Sequence, residues 1–400
     1  MISAQDALNI ILEQCEIAEI EEVELASSIG RILAEPIYAD RPMPPFHRVT
    51  MDGIAIKTSS YQGGKIFPIE NIAPAGKPKL SLNQEDHCIE VMTGAPLPEN
   101  TDCVIRYEDL IKHEEGYEIN LDEIEYWKNI HTSGSDHQKD EIILEIGHHI
   151  KAIDINVLAT VGKSKVKVYQ LPKVALVSSG DELVECDQTP ESHQIRRSNI
   201  HMLHARCTQL GIKADNYHIL DDKEEVVNTL KDYLKEYKVV MIVGGVSMGK
   251  FDFIPESLKK LGVERAFYKV AQRPGKPFWY GKKDDTYVFA YPGNPVSSLA
   301  CFHKYFIPWL DKFTNRSAKT QFNVILDEDV IFKPDLTYYA QANLIMKSDG
   351  RLCARISHGN GSGDLIHPSK MDGFVELPTG KTEFKEGEVY PFMPFYPIVL

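Results

Sequence analysis

Four short stretches carry most of the side chains that could do chemistry. Arg273-Pro274-Gly275-Lys276 sets two cations on a Pro-Gly turn. Such a pair suits a phosphate or another oxyanion, and is equally at home in solvent. In Gly244-Gly245-Val246-Ser247-Met248-Gly249, glycines permit positive φ and bring backbone N–H groups close to a phosphate; a plain flexible turn has the same composition. The stretch has the GxxxxGK spacing but Phe251 where the motif needs Ser or Thr, so a Walker-type nucleotide site is not predicted. Asp252 follows it, as a helix cap or as a ligand. Pro292-Gly293-Asn294-Pro295 places Asn294 at the N-cap and Pro295 at the first turn of a helix. That is a cap alone, or an anion site with Ser297 and Ser298 as further donors. Ser178-Ser179-Gly180-Asp181-Glu182 offers two carboxylates that could hold Mg²⁺ through water, move a proton, or do neither. Asp221 and Asp222 precede a helix and suit its cap, while Asp136 and Thr93 have no local argument.

The elements around these stretches say where they lie. KVALVSSG, IKADNYHIL, KVVMIVGG and TYVFAY read as strands. Between them come helices, from Ser198 to Leu210 and over DDKEEVVNTLKDYLKEY, the latter with acids in its first turn. Strands alternating with helices predict a doubly wound parallel sheet with helices on both faces, and ligands bind beyond the carboxyl ends of such strands. Several of the four loops therefore fall on one edge.

The rest of the chain reads differently. Residues 1–40 read as helix, with Ser3 and Asp6 spaced like a capping box and a break at Gly30. Residues 41–135 carry short alternating segments between prolines and glycines and predict a β-rich inserted domain; 136–171 leads back out to join 1–40 in an extended N-terminal domain. Residues 172–316 form the α/β domain, and 317–400 end in short β segments, a small C-terminal β-barrel. The fold class is thus α/β multidomain.

The 400 residues suit several domains rather than one core. The net charge of −14 argues against general nucleic-acid binding, which needs a basic face. No apolar run is long enough for a membrane span, and MISAQDALNIILEQC lacks the basic start of a signal peptide. The seven cysteines form no CxxC pair, which fits reduced, buried thiols in a cytoplasmic protein.

Taken in order, MDGIAI, VMTGAPLPENTDCVIRYED, VSSGDELVE, RSNIHML, GGVSMGKFDF, RPGKPFWYG and YPGNPVSS resemble the molybdopterin molybdenumtransferase (molybdenum insertase) family, which includes the E domain of gephyrin. The resemblance covers nearly the whole chain. It implies an enzyme of molybdenum cofactor synthesis that binds adenylylated molybdopterin and molybdate, cleaves the phosphoanhydride with Mg²⁺ or a similar cation, and releases AMP. It implies a homodimer, with each cleft lying between the third and fourth domains of one subunit and the second domain of the other, and contact with other enzymes of the pathway. Related readings are a molybdopterin adenylyltransferase, whose single α/β domain resembles 172–316, and a non-catalytic molybdopterin-binding scaffold.

Carried over motif by motif, Asp52, Thr93, Glu182, Asp252 and Lys276 match catalytic positions. Ser179, Gly180, Asp221, Gly244, Gly245, Ser247, Gly249, Arg273, Pro292, Gly293, Pro295, Ser297 and Ser362 match substrate-binding ones. Glu182, Asp252 and Asp136 match metal positions. Arg273 stands where the family usually has lysine. Two further departures stand out: the family's Phe-Asp-Asn before its MDG is Phe46-His47-Arg48 here, and an arginine common on a C-terminal strand aligns with Gln341.

Overall fold

The structure is a computed structural model that describes residues 1–246, 253–317, 322–359, 361 and 363–396. The first helix, α1 (Ala4–Glu13), starts where Ser3 Oγ accepts the Asp6 backbone N–H at 3.0 Å. Helix does not continue through residue 40 as the sequence reading had it. From Ile20 the segment IEEVE alternates half-buried and exposed positions, the period of a strand, and Ile20–Glu24 pairs antiparallel with Lys165–Tyr169.

The inserted region is built on β1 (Gly53–Ile56), β2 (Ile69–Ala73), β3 (Cys88–Val91) and β4 (Cys103–Arg106), in the order β2-β3-β1-β4. Every residue of β1 is buried, because apolar clusters cover both faces of this sheet. Ala55, Ile89, Val91 and Val104 pack on one side, and Ile54, Ile56, Cys88 and Ile105 on the other. Gly53 is required here: a Cβ would sit 1.9 Å from the Ile105 carbonyl oxygen.

The α/β region runs β5 (Val174–Ser179), α2 (Ser198–Gln209), β6 (Ala214–Ile219), α3 (Lys223–Glu236), β7 (Val239–Val243), α4 (Ile254–Lys260), β8 (Glu264–Tyr268), β9 (Trp279–Lys283), β10 (Thr286–Tyr291) and α5 (Pro295–Cys301). Alternate residues of β5 divide between two cores. Val174 and Leu176 face α2 and α5, while Ala175 and Val177 face α3 and α4. The sheet order is β6-β5-β7-β10-β9-β8. Five strands run the same way, but β9 runs antiparallel to both of its neighbours, β10 and β8, so the expectation of a parallel sheet is corrected at that strand. The cause is local. Only Asp284 and Asp285 separate β9 from β10, with Asp284 at φ 48°, and a two-residue connection makes a hairpin rather than a crossover.

The C-terminal strands are β11 (Asn323–Leu326), β12 (Thr337–Met346), β13 (Leu352–Ile356), β14 (Gly373–Leu377) and β15 (Val389–Pro394). They pair as β12-β13-β11-β15-β14, and β14 pairs back to β12, closing a five-stranded barrel around Val324, Ala340, Ala354, Val375 and Phe392. Closure leaves these strands without a free edge along the ring. The barrel is tied to the α/β region twice: Gln272-Arg273 pairs with Thr337-Tyr338, and Lys304 Nζ donates to both carboxylate oxygens of Glu376 at 2.7 and 2.8 Å. Six of the seven cysteines are buried; Cys186 is exposed, against the expectation of burial throughout. No described helix is long and apolar enough to cross a membrane.

Candidate functional site

Strands β6, β5, β7 and β10 are neighbours and parallel, so their carboxyl ends share one edge. Four of the chemistry-bearing segments emerge there. After β5, Ser179 Oγ donates to Asp221 Oδ1 at 3.1 Å, and Asp181 Oδ1 accepts the Asp221 backbone N–H at 2.9 Å. This joins the loops after β5 and β6. Asp222, next in the chain, caps α3 by accepting the N–H groups of Glu224 and Glu225, so only one of the two acids is spent on the helix.

After β7, Gly244 and Gly245 hold φ of 94° and 65°. A Cβ on Gly244 would lie 2.7 Å from the Ser179 carbonyl, and one on Gly245 would lie 2.7 Å from Ile254 Cγ1. Side chains are excluded at both positions, which leaves the backbone bare at the edge. Gly293, after β10, comes so near that its Cβ would stand 3.8 Å from Gly244 Cα. Pro295 opens α5 with Asn294 at the N-cap. Ser298 Oγ donates to the Pro292 carbonyl at 2.7 Å, and Ser297 is buried within the helix. At Gly180 a Cβ would strike the Glu182 carboxylate at 2.4 Å, so this glycine lets Glu182 fold back over the loop.

The RPGK turn reaches α5 from the side. A Cβ on Gly275 would lie 2.7 Å from Cys301 Sγ, and the buried Gln272 amide donates to the Gly275 carbonyl at 3.2 Å. Arg273 and Lys276 are exposed on this turn, and neither belongs to an ion pair among the described residues. The barrel closes over the same region: a Cβ on Gly363 would sit 3.9 Å from Asn294 Oδ1. Ser247, Gly249, Asp252 and Ser362 lie outside the described residues.

A second cluster forms on the inserted region. Asp52 Oδ1 accepts the Thr93 backbone N–H at 2.6 Å. That bond, with help from the Thr93 hydroxyl, holds the Asp52 carboxyl below the usual carboxylate range. Asp136 accepts from His131 Nε2 at 2.9 Å and from Ser135 Oγ at 3.1 Å, and its carboxyl too is held low, chiefly by His131. The other nitrogen of His131 lies 3.1 Å from Arg48 Nη2. Among the described residues no hydrogen bond or ion pair joins Asp52, Thr93 or Asp136 to the sheet edge.

The departures His47 and Arg48 have structural partners. His47 Nδ1 accepts the Ser133 N–H at 3.0 Å, and its ring stands edge-on to Trp127 at 4.9 Å. Both residues brace the pairing of Arg48-Val49 with Ile130-His131. At Gln341 on β12, Oε1 is buried with no hydrogen-bond partner among the described residues.

Three residues of this edge received no role in the sequence reading. Arg197 is ion-paired with Glu185 and approaches Ser178 Oγ at 3.4 Å, its guanidinium pKa lowered by burial. His218 Nδ1 meets the same hydroxyl at 3.0 Å, and burial, with Arg197 nearby, holds the imidazole below its usual range. Asn199 donates to the Gly293 carbonyl at 2.6 Å. The signal for Arg197 and Asn199 was the RSN tripeptide itself, which opens α2 beside the other loops.

As chemistry, the edge combines unblocked backbone amides, two cations without an ion-pair partner among the described residues, and loop carboxylates. Such a set is chemically suited to a phosphorylated ligand and to offsetting charge at a phosphoryl group. No cluster of three or more His, Cys, Asp or Glu able to enclose a metal occurs among the described residues. A fully caged metal is therefore absent from that set. Mg²⁺ does not need one, since it is usually held by one or two carboxylates together with substrate phosphates.

Comparison with known proteins gives a consistent answer along the chain. Residues 2–162 match the model of the MoeA N-terminal region (domain I and II), 175–312 that of a probable molybdopterin binding domain, and 323–395 that of the MoeA C-terminal region (domain IV). A molybdopterin molybdenumtransferase of Synechocystis sp. is 38% identical over 397 residues, 98% of this chain and 99% of that one. One of Staphylococcus epidermidis is 31% identical over 97% of this chain and 94% of that one. A crystal structure of the molybdopterin biosynthesis moeA protein from Pyrococcus horikoshii superposes with a TM-score of 0.83 at 25% identity, covering 99% of this chain and 100% of that one.

Proposed function

The chain belongs to the molybdopterin molybdenumtransferase family, and from that premise we propose that it inserts molybdenum from molybdate into adenylylated molybdopterin, releasing AMP. The observation that carries this reading is the edge where the loops after β5, β6, β7 and β10 meet, so closely that a Cβ on Gly244 would lie 2.7 Å from the Ser179 carbonyl and one on Gly293 3.8 Å from Gly244 Cα. It is the part of the fold fitted to a pyrophosphate. The match to the N- and C-terminal regions as well as the central domain separates this reading from that of a lone adenylyltransferase domain.

In this reading the backbone N–H groups around Gly244, Gly245 and Gly293, with Ser179, Gly180, Asp221, Pro292, Pro295 and Ser297 around them, cradle the substrate. Arg273 and Lys276 face its phosphate charge from the RPGK turn. Glu182, together with Asp252, would hold Mg²⁺ at the pyrophosphate, where the ion would offset negative charge as the anhydride breaks. Ser247, Gly249 and Ser362 complete the set by motif. The phosphoanhydride P–O bond breaks, AMP departs with the adenylyl phosphorus, and the attacking oxygen comes from water or from molybdate. No protein nucleophile is required.

Asp52, Thr93 and Asp136 belong to the same cleft if it is completed by a second subunit. What supports this is that the carboxyls of Asp52 and Asp136 are held low and so stay ionised, while among the described residues no hydrogen bond or ion pair ties them to the sheet edge of their own chain. The protein is accordingly read as a cytoplasmic homodimer that meets other enzymes of cofactor synthesis. The test is AMP release from adenylylated molybdopterin in the presence and absence of molybdate.

A further inference from the structure

The turn that carries Arg273 and Lys276 is held in two different ways. Its base is clamped by backbone. The Val270 N–H donates to the Lys276 carbonyl at 2.9 Å, the Ala271 N–H to the Ile2 carbonyl at 2.7 Å, and the Thr337 N–H of β12 to the Ala271 carbonyl at 3.0 Å. Its tip is held by side chains. Along the short strand Gln272-Arg273, successive side chains point to opposite faces, so Arg273 is exposed while Gln272 is wholly buried. Gln272 Nε2 donates to the Gly275 carbonyl at 3.2 Å, and the Cys301 thiol lies 3.8 Å from the same oxygen. Gly275, at φ 91°, admits this approach, since a Cβ there would lie 2.6 Å from Gln272 Nε2.

A buried amide is costly unless both of its ends are bonded. The Gly275 carbonyl can only accept, so the NH₂ end of Gln272 must face it. Oε1 then faces the Tyr305 hydroxyl, which donates to it. Tyr305 is itself buried, and its ring stacks on Phe278 at 4.7 Å. It comes from Phe302–Phe306, a π-helical turn between α5 and the helix Ile307–Phe313. Such turns are rare within α-helices and gather at functional sites. This one sends Tyr305 beneath the RPGK segment and the preceding Lys304 to Glu376 of the barrel. A polar chain thus runs from Tyr305 through Gln272 to Gly275 and stops between the two cations. Apolar side chains of the same shape would fill that space without desolvating an amide.

We propose that Gln272 and Tyr305 are positioning residues for the reaction. The Tyr305 hydroxyl orients the Gln272 amide, the amide fixes the Gly275 carbonyl, and the fixed turn aims Arg273 and Lys276 at the anionic substrate. Both residues act through the turn. The inference rests on the reading that these two cations meet the substrate's phosphate charge. Cations already held in place lose less freedom on pairing with an anion, so binding is tighter.

The test compares full-length wild type, Gln272→Met, and Gln272→Met with Tyr305→Phe. The single variant strands the Tyr305 hydroxyl in the core and should be less stable to urea. The double variant removes that hydroxyl and should regain much of the stability. The Gly275 carbonyl lacks its amide donor in both. Hydrogen exchange at the Val270 amide should therefore be at least about tenfold faster in both. The KM for adenylylated molybdopterin should rise about tenfold in both, the weakening of one charge-assisted contact. A mere shortage of folded protein lowers kcat and leaves KM alone. Tyr305→Phe by itself keeps the bond to Gly275 and should show smaller changes in the same direction; it tests the chain if the Met variants do not fold. Wild-type exchange or wild-type KM in a folded Met variant would overturn the proposal. Wild type that releases no AMP would strike the insertion reading instead, and the exchange rates would still decide whether Gln272 holds the turn.

Discussion

Arg48 Nη2 lies 3.1 Å from Nδ1 of His131, and a guanidinium can only donate. His131 therefore accepts at Nδ1, and its Nε2–H points to Asp136. Arg48 and its neighbour His47 thus act as braces between two strand segments. Restoring the common family residues with His47→Asp and Arg48→Asn should lower stability by about 1 kcal/mol, the net worth of a hydrogen bond or two. Molybdate-dependent turnover should persist. Urea titration and an AMP assay on the same preparation check both halves.

Asp52 has a depressed carboxyl pKa because the Thr93 N–H and hydroxyl both bond its ionised form. The sign follows from linkage. A group whose folded pKa lies below its unfolded value adds stability above the unfolded value, about 3.9 for Asp, and loses it as pH falls through the folded one. Thr93→Ala removes the hydroxyl but keeps the backbone donor, so the Asp52 pKa should rise only part of the way to its ordinary value. Carboxyl carbon NMR across an acid titration reads this directly. An unchanged pKa would mean that the hydroxyl contributes nothing.

If Asp52 and Glu182 meet only across a dimer, two inactive variants can rescue one another. Asp52→Ala and Glu182→Ala should each lose most turnover while staying folded. Mixed and allowed to exchange subunits, they should recover about a quarter of wild-type activity, since half the dimers are hybrid and each hybrid has one intact cleft. No recovery despite proven exchange would place both residues in a cleft of one chain.

Lys304 and Glu376 form a nearly buried pair between the π-helical segment Phe302–Phe306 and the barrel strand β14. Lys304→Met leaves Glu376 with its charge and without its partner, and should cost about 3 kcal/mol. Lys304→Met with Glu376→Leu should recover much of that, because an apolar pair pays no desolvation. Urea unfolding of the two variants separates these outcomes.

Much of the α/β region was legible because its signals are local. Val174–Ser179 and Val239–Val243 are apolar runs that end in glycine loops, and Asp222 and Asn294 sit where helix caps belong. From there, parallel topology alone predicts that the loops converge. The hairpin at Asp284-Asp285 was missed because Trp279–Lys283, which pairs antiparallel with TYVFAY, was not read as a strand; TYVFAY itself does pair in parallel with β7. IEEVE was missed because its partner lies more than a hundred residues away. His47 and Arg48 stood out only as departures from the family motif, because their partners Ser133 and His131 lie more than eighty residues on.

The central claim is that this chain couples molybdate to cleavage of an adenylylated pterin. Purified protein is mixed with adenylylated molybdopterin and Mg²⁺, and AMP is followed with and without molybdate. The account predicts rapid AMP release only when molybdate is present, abolished by Asp252→Ala. Release that is absent, or indifferent to molybdate, would contradict it.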